Sequence, residues 1–554
     1  MKKACWLQLF LLISIACFGQ KNLSILYNYK FGADTTCAGV WHYNDSLNRE
    51  YALVGTSFGL TIFDVTNPAS STRIFDVPDT PGLWREVRVW SHYAYVSNEG
   101  VSGHGGGGIT IVDLSTLPDA PAYKKYTGDS AIAGMLSTGH TVQVVDGYLY
   151  VNGSNIGSQR GTVIFSLADP WNPHYITDWN ITYVHDCFVR GDTMISSEIY
   201  GQGYVINSLS VTKDTITTLQ AQATTCNFTH SSWMSCDDHY LFTTDEKPNC
   251  PLDAFDISNL NNIQLIDLYR TKLNPVGEVH NPRVICTNAC GSGVTDFIVC
   301  SCYGDSAHTG GQVTLVDASH PEDMIETGNI ILGPKGTGLV LCWDADPFPQ
   351  SGNIVATEIN NGFFVLKPVY TGACFLEGVV TDCKSGFPLN QVEVEILLPP
   401  ADTIVLASYL GTFTGAYKTG IPDGGTYDVR FSPVLAADSL YAADTIKGVV
   451  LQNCQLTTLN AGLCTVGIDE KSLSELFQVY PAPASDKLNI HFSSIAKALS
   501  VTFSITNVLG QSALPPLQAR EADTTMDISK LASGIYFIQI KTESGSVTKR
   551  FVKD

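Results

Sequence analysis

At 554 residues, the chain is long enough for several domains of roughly 100–200 residues, or for one large array with appendages, and too long for a single compact core. Lys and Arg number 32 against 53 Asp and Glu, a formal net charge of −21, which excludes a nucleic-acid partner because neutralising phosphates needs a basic face. With 44% hydrophobic and 10% aromatic residues the chain buries a large core, so wholesale disorder is excluded as well.

Lys2 and Lys3 precede an apolar run from Cys5 to Phe18, too short to span a membrane and placed where a secretory signal belongs. Residues 1–19 therefore read as a signal peptide, and no later segment reads as a transmembrane anchor after its cleavage. A lipoprotein anchor at Cys17 is disfavoured by Ser14, where a Leu is normally wanted. Export implies an oxidising compartment, so the cysteines beyond the signal read as disulfide partners rather than thiolate ligands. Those between Cys374 and Cys464 are expected to pair among themselves.

A unit then recurs seven times: an aromatic-rich strand, a glycine turn, a strand ending in Asp, a Pro or Asn turn, and an outer strand. The copies cover 51–68, 93–118, 148–170, 193–209, 240–259, 296–321 and 353–368. Their second strands end at Asp64, Asp113, Ser166, Asn207, Asp256, Asp317 and Leu366, steps of 41 to 61 residues that suit four-stranded propeller blades. The aspartates are expected to close Asx turns. The seventh copy lacks its outer strand, whereas Leu23-SILYNYK stands alone before the first; the N-terminal strand is expected to complete the last blade and hide both sheet edges.

One polar residue stands just before the first strand of successive units: His140 in GHTVQVV, His185 in VHDCFV, His230 in THSSWM and His280 in VHNPRV, with Glu86 in REVRVW and Asp344 in CWDADP. On inner strands these residues would form a ring in the channel. Residues 21–370 resemble the LVIVD-repeat, choice-of-anchor B propellers, carried by His230-SSWM before Tyr240-LFTTDEK and by His280-NPRV, a family with no established reaction. Two readings of the ring stay open: a metal or ligand site using His140, His185, His230, His280, Glu86 and Asp344, or a hydrogen-bonded plug. The candidate cofactor is a divalent transition metal or Ca2+. Glu99, Glu198, Glu246 and Glu358 form a second set at the ends of the aromatic strands, and Gly103-HGGGG, with His104, reads as a hairpin loop without the context of a phosphate loop.

The rest of the chain reads differently. Gly378, Val380, Pro388, Leu389, Val392 and Val394 make 373–465 resemble a carboxypeptidase regulatory-like module, a small sandwich. The series YPAP, LGQ, DISKL, SGIY and a terminal basic strand makes 477–554 resemble the type IX secretion system C-terminal sorting domain; it departs at Ala482, where that family commonly has Asn. By resemblance, a chain with this tail is handled by the type IX machinery.

The expected fold is thus all-β: a signal peptide at 1–19, a seven-bladed β-propeller over 20–370, and two small β-sandwich domains at 373–465 and 477–554. No nucleophile elbow, HExxH or Walker motif occurs. The expected function is an exported cell-surface or extracellular binding module for an unknown ligand. The alternative is a metal-dependent hydrolase or lyase centred on the His ring.

Overall fold

The computed structural model describes residues 20–100, 106–201, 203–291, 293–304, 310–333, 341–434, 441–465, 476–492, 501–518, 523–542 and 545–554. The signal segment 1–19 and the loop around His104 lie outside them. Every regular element among the described residues is a β-strand, apart from 3-10 turns such as Pro68–Ser70 and Leu114–Thr116. The chain divides into two compact units: Met1–Glu377 with Lys418–Tyr427 and Gly448–Thr458, and Gly378–Tyr417 with Asp428–Lys447 and Leu459–Asp554.

The first unit begins with β1 (Leu23–Tyr29) and continues through six four-stranded meanders. These are β2 (Cys37–Asn44), β3 (Glu50–Thr56), β4 (Gly59–Asp64) and β5 (Thr72–Pro78); β6 (Val87–Trp90), β7 (Tyr93–Val96), β8 (Ile109–Asp113) and β9 (Ala122–Tyr126); β10 (Thr141–Val145), β11 (Tyr148–Asn152), β12 (Thr162–Ser166) and β13 (His174–Trp179). The next are β14 (Asp186–Arg190), β15 (Thr193–Glu198), β16 (Gly203–Leu209) and β17 (Ile216–Gln222); β18 (Thr229–Met234), β19 (Tyr240–Asp245), β20 (Leu252–Asp256) and β21 (Gln264–Tyr269); and β22 (Val279–Thr287), β23 (Thr295–Cys302), β24 (Gln312–Asp317) and β25 (Ile325–Ile331). The seventh sheet is β26 (Cys342–Asp346), β27 (Ile354–Glu358) and β28 (Gly362–Pro368), and its fourth strand is β1, antiparallel to β28 from Leu23 opposite Pro368 to Tyr29 opposite Phe363. The isolated N-terminal strand thus supplies the outer strand that the seventh copy lacks.

The first strands of these sheets touch in succession, β2 to β6, β10, β14, β18, β22 and β26, and β26 touches β2 again. An apolar cluster fills each gap. Between the fourth and fifth sheets, for example, Phe188, Ile195, Tyr204 and Ile206 meet Met234, Leu241, Phe255 and Ile257. Between the seventh and first, Val355, Phe363 and Val365 meet Cys37, Val40, Val54 and Phe63, with Tyr27 and Tyr29 of β1 packed against them. Near-continuous apolar runs in the sequence explain this, because middle strands such as β4, β11 and β27 are buried on both faces. The expected Asx turns form: Asp64, Asp113, Asp256 and Asp317 each accept the backbone N–H two residues on, at 2.9–3.0 Å.

Among the described residues four disulfides form, Cys226–Cys250, Cys236–Cys286, Cys290–Cys454 and Cys383–Cys464. The expectation that the cysteines between 374 and 464 pair among themselves is corrected by Cys290–Cys454. At Gly372 a Cβ would overlap both sulfurs, so a glycine after the last sheet lets the two cysteines meet, while Cys454 N donates to Ala373 O at 2.7 Å. Cys37, Cys187, Cys300, Cys302, Cys342 and Cys374 are buried free thiols, and burial pushes their pKa values up.

Strands between Cys374 and Leu463 form two four-stranded sheets. The tail, described by itself, has a three-stranded and a four-stranded sheet around its own core, in which Phe477, Leu488, Ile490, Phe503, Ile538 and Phe551 are buried. Removing residues 20–30 is expected to leave β28 as an open edge, giving oligomers in size-exclusion chromatography and a lower thermal midpoint; a monomer that melts like the full chain would contradict this role for β1.

Candidate functional site

The ring residues are placed by irregularities in the inner strands. In β18 the pairing skips from Thr229 to Ser231, in β22 from Val279 to Asn281, and in β26 from Cys342 to Asp344. The skipped residues are His230, His280 and Trp343. A bulge leaves its extra residue outside the ladder and re-aims its side chain, which is how a buried strand presents an imidazole away from its own sheet. His140 and His185 do the same one residue ahead of β10 and β14.

His140, His185, His230 and His280 come together. Centroids of successive rings are 4.1 Å apart at all three steps, and all four residues are buried. Each imidazole from His185 onward bonds to the backbone of the next sheet: His185 Nδ1 to His230 O at 3.1 Å, His230 Nδ1 to His280 O at 3.2 Å, and His280 Nδ1 to Trp343 O at 2.6 Å. A carbonyl only accepts, so these three Nδ1 atoms carry the proton. Burial, reinforced by the neighbouring imidazoles, holds these three groups well below the usual imidazole range; at neutral pH their Nε2 atoms present lone pairs.

His140 behaves differently. Its Nε2 lies 2.6 Å from His185 Nε2, and since the latter is an acceptor, His140 donates. Its Nδ1 is 3.3 Å from Glu99 Oε2, while Arg160 donates to Glu99 Oε1 at 2.6 Å. Burial raises the Glu99 pKa, but the bonds and charges of His140 and Arg160 outweigh it and bring it down to about 2.

The same carbonyl pattern corrects one predicted residue. Second-strand hydroxyls reach the ring carbonyl of the next sheet: Ser97 to His140 O at 2.8 Å, Thr244 to His280 O at 2.6 Å, Ser301 to Trp343 O at 3.1 Å and Thr357 to Ala38 O at 2.5 Å. In the seventh sheet the ring position is therefore Trp343, and Asp344, expected there, is one residue further on because the bulge adds a residue. Asp344 instead accepts from Arg283 at 3.1 and 3.3 Å. Glu86 does reach the ring, where Trp343 Nε1 donates to its Oε1 at 2.9 Å. Gly39 makes the room, since a Cβ there would lie 2.6 Å from Glu86 Oε2. Burial, then the Asp344 carboxylate, pushes the Glu86 pKa up to about 7.

On one side of the ring sits a buried charged layer. Arg88 lies 3.6 Å from Glu86 and stacks over Trp41 at 4.2 Å; Arg283 stacks over Trp233 at 5.1 Å; Asp186 accepts from Ser231 at 2.9 Å. Between this layer and the imidazoles is a cavity of about 10 Å³ lined by Glu86, Arg88, Asp186, the four histidines and Trp343, room for about one water. Glu246, whose side chain is 29% exposed, has one carboxylate oxygen 3.8 Å from His230 Nε2 and the other 3.8 Å from His280 Nε2, and accepts from Tyr303 at 3.2 Å. His185, His230 and Glu246 offer ligand atoms within 4.8 Å of one another. Cys236, Cys286 and Asp296 do likewise, but both sulfurs are spent in a disulfide. Of the second carboxylate set, Glu99 and Glu246 thus face the ring, while Glu358 accepts from the backbone N–H groups of Asn360 and Asn361.

Sequence patterning missed Trp343, Arg88 and Arg283. The signal for Trp343, a bulge at the ring position, adds no marker residue to the sequence, and the alternation after it reads equally well one residue out of step.

Residues 478–554 match the family model of the secretion system C-terminal sorting domain. The chain is exported to the cell surface or the extracellular space, its tail handled by the type IX secretion machinery. No helix among the described residues is long and apolar enough to cross a membrane. No curated protein matches the chain. Among solved structures it is similar to the extracellular domain of a provisionally named one-component system from B. thetaiotaomicron, at 8% identity and a TM-score of 0.41 over 95% of this chain and 98% of that one. It is also similar to a provisionally named 6-phosphogluconolactonase from Bacteroides fragilis, at 8% identity and 0.39 over 58% and 86%, and to one from Bacteroides uniformis, at 9% and 0.39 over 58% and 88%.

The hydrogen bonds imply a measurable proton inventory. His185, His230 and His280 are expected to stay neutral, with the proton on Nδ1, as pH falls through the ordinary value of about 6.5, read by long-range 1H–15N correlation spectra. Depressed imidazoles alone would cost stability below that pH, but Glu86 and Glu278, both held near 7, act in the opposite sense because the folded state binds their protons more tightly. Site-resolved titration is therefore the deciding measurement, and three imidazoles titrating near 6.5 would contradict the assignment.

Proposed function

We propose that the exported chain is a recognition module built on a seven-bladed β-propeller of the LVIVD-repeat, choice-of-anchor B kind, spanning 20–370, with the ring histidines at its centre. A signal peptide at 1–19 opens the chain, and a carboxypeptidase regulatory-like sandwich at 373–465 separates the propeller from the sorting tail. The closed succession of inner-strand contacts, the apolar cluster in every gap and the closing strand β1 support the propeller. The separate apolar core of the tail supports its independence.

The observation that carries recognition over catalysis is how little free space the centre holds. Most polar groups there are engaged with one another, imidazole to carbonyl, guanidinium to carboxylate and indole to carboxylate, and the space between the two layers takes about one water. An organic substrate cannot share that space with the imidazoles, so ligand recognition belongs to the outer surfaces of the propeller.

Two experiments test this reading. Arrays of glycans and extracellular proteins probed with the full chain should give saturable binding that survives His230→Ala, while panels of hydrolase and lyase substrates show no turnover. Turnover by the wild type that His230→Ala abolishes would transfer the assignment to a metal-dependent hydrolase or lyase. Deleting 477–554 should strand the chain in the periplasm with its thermal midpoint for the propeller unchanged; normal surface levels of the truncated chain would contradict the role of the tail.

A further inference from the structure

We infer that His230, His280 and Glu246 form a binding site for one divalent transition-metal ion on the Glu246 side of the imidazole ring. Three acceptors face one another there: the Nε2 lone pairs of His230 and His280, and the Glu246 carboxylate 3.8 Å from each. His280 is 1% exposed, and its Nε2 has no hydrogen-bond partner. A buried acceptor without a donor is costly, and a carboxylate aimed at two lone pairs is repulsive unless a positive charge sits between them. A single proton on Glu246 relieves one of these contacts; a divalent ion relieves all of them.

The imidazoles are also prepared as ligands. A metal-bound histidine usually donates its other N–H to a carbonyl or carboxylate, which fixes tautomer and ring orientation. His230 and His280 already do so through Nδ1, each to the backbone of the adjacent sheet. Ligands on a tetrahedral ion at about 2.0–2.1 Å lie about 3.4 Å apart. The 3.8 Å separations of Glu246 from His230 and His280 are a few tenths of an ångström from that, within the reach of a partly exposed carboxylate.

His140 is not a ligand in this arrangement. Its Nε2 is 2.6 Å from that of His185, closer than the roughly 3 Å that two nitrogens on one ion keep even at a right angle. A proton occupies that gap and takes up the one Nε2 lone pair of His185, so His185 too stays outside the coordination and the His140–His185 pair walls the site.

Two imidazole nitrogens and a carboxylate oxygen suit zinc, cobalt, nickel or copper, and disfavour Ca2+, which takes six to eight oxygens. The ion would tie the fifth and sixth sheets of the unit together. It neither requires nor precludes recognition of a ligand at the outer surface.

The test uses the full chain, stripped with chelator and titrated with Zn2+ and with Co2+ at neutral pH. One equivalent should bind, Co2+ should give the strong visible d–d absorption of a four-coordinate site, and Zn2+ should raise the thermal midpoint. His230→Ala should abolish stoichiometric binding. Because that variant loses a buried side chain, Glu246→Gln provides the second reading: near-isosteric at the rim, it should fold with the metal-free midpoint and bind at least about tenfold more weakly. A wild type that binds neither ion, or a Glu246→Gln chain that binds as tightly as wild type, overturns the site. Array binding by a metal-free wild type would leave the recognition function standing on its own.

Discussion

The centre of the first unit is governed by the need to satisfy buried polar groups where strands from different sheets converge. The first strands of successive sheets bring backbone carbonyls into a space that water barely enters, and a carbonyl left unpaired there costs about as much as a lost hydrogen bond. The molecule answers with side chains from the neighbouring sheet: imidazole Nδ1–H groups from His185, His230 and His280, and hydroxyls from Ser97, Thr244, Ser301 and Thr357. Each bond joins one sheet to the next. The hydrogen bonding of the centre and the succession of the sheets are therefore one arrangement, and the bulges at His230, His280 and Trp343 are what it demands of the strands.

Satisfying the carbonyls through Nδ1 has a chemical consequence for the opposite nitrogen. It commits each Nε2 to being an acceptor, and burial keeps it unprotonated. The structure thus accumulates lone pairs on the Glu246 side of the ring and charges on the other, where Arg88 and Arg283 are balanced by Asp186, Asp344 and Glu86. Aromatic faces share the load, with Trp41 under Arg88 and Trp233 under Arg283. Tightness of the core comes from elsewhere, from the apolar clusters between sheets, so the polar centre supplies specificity of register more than bulk stability.

Export places this arrangement in surroundings that suit it. Four disulfides close loops of 24, 50, 164 and 81 residues, which an oxidising compartment preserves. The longest, Cys290–Cys454, fastens the sixth sheet to a segment far along the chain, and Gly372 is the residue whose missing side chain permits it. The buried thiols, by contrast, have raised pKa values and lie in apolar packing, so they behave as small core residues.

What the sequence determined by itself is what short-range pattern encodes. Period-two alternation and regular turn residues define the strands; Asp64, Asp113, Asp256 and Asp317 announce their turns; a repeat counted along the chain shows that Leu23–Tyr29 has to complete the last sheet; and the ordered motifs of the tail give the address. A polar residue recurring before each inner strand was enough to gather His140, His185, His230, His280 and Glu86. Tertiary structure alone decided the rest. Whether Trp343 or Asp344 takes the ring position depends on a bulge, which shifts the register by one residue without changing the alternation that precedes it. The pairing of Glu246 with His230 and His280, of Arg283 with Asp344 and of Cys290 with Cys454 joins residues 16 to 164 positions apart, and no local periodicity carries information over that distance; it is set where the sheets pack.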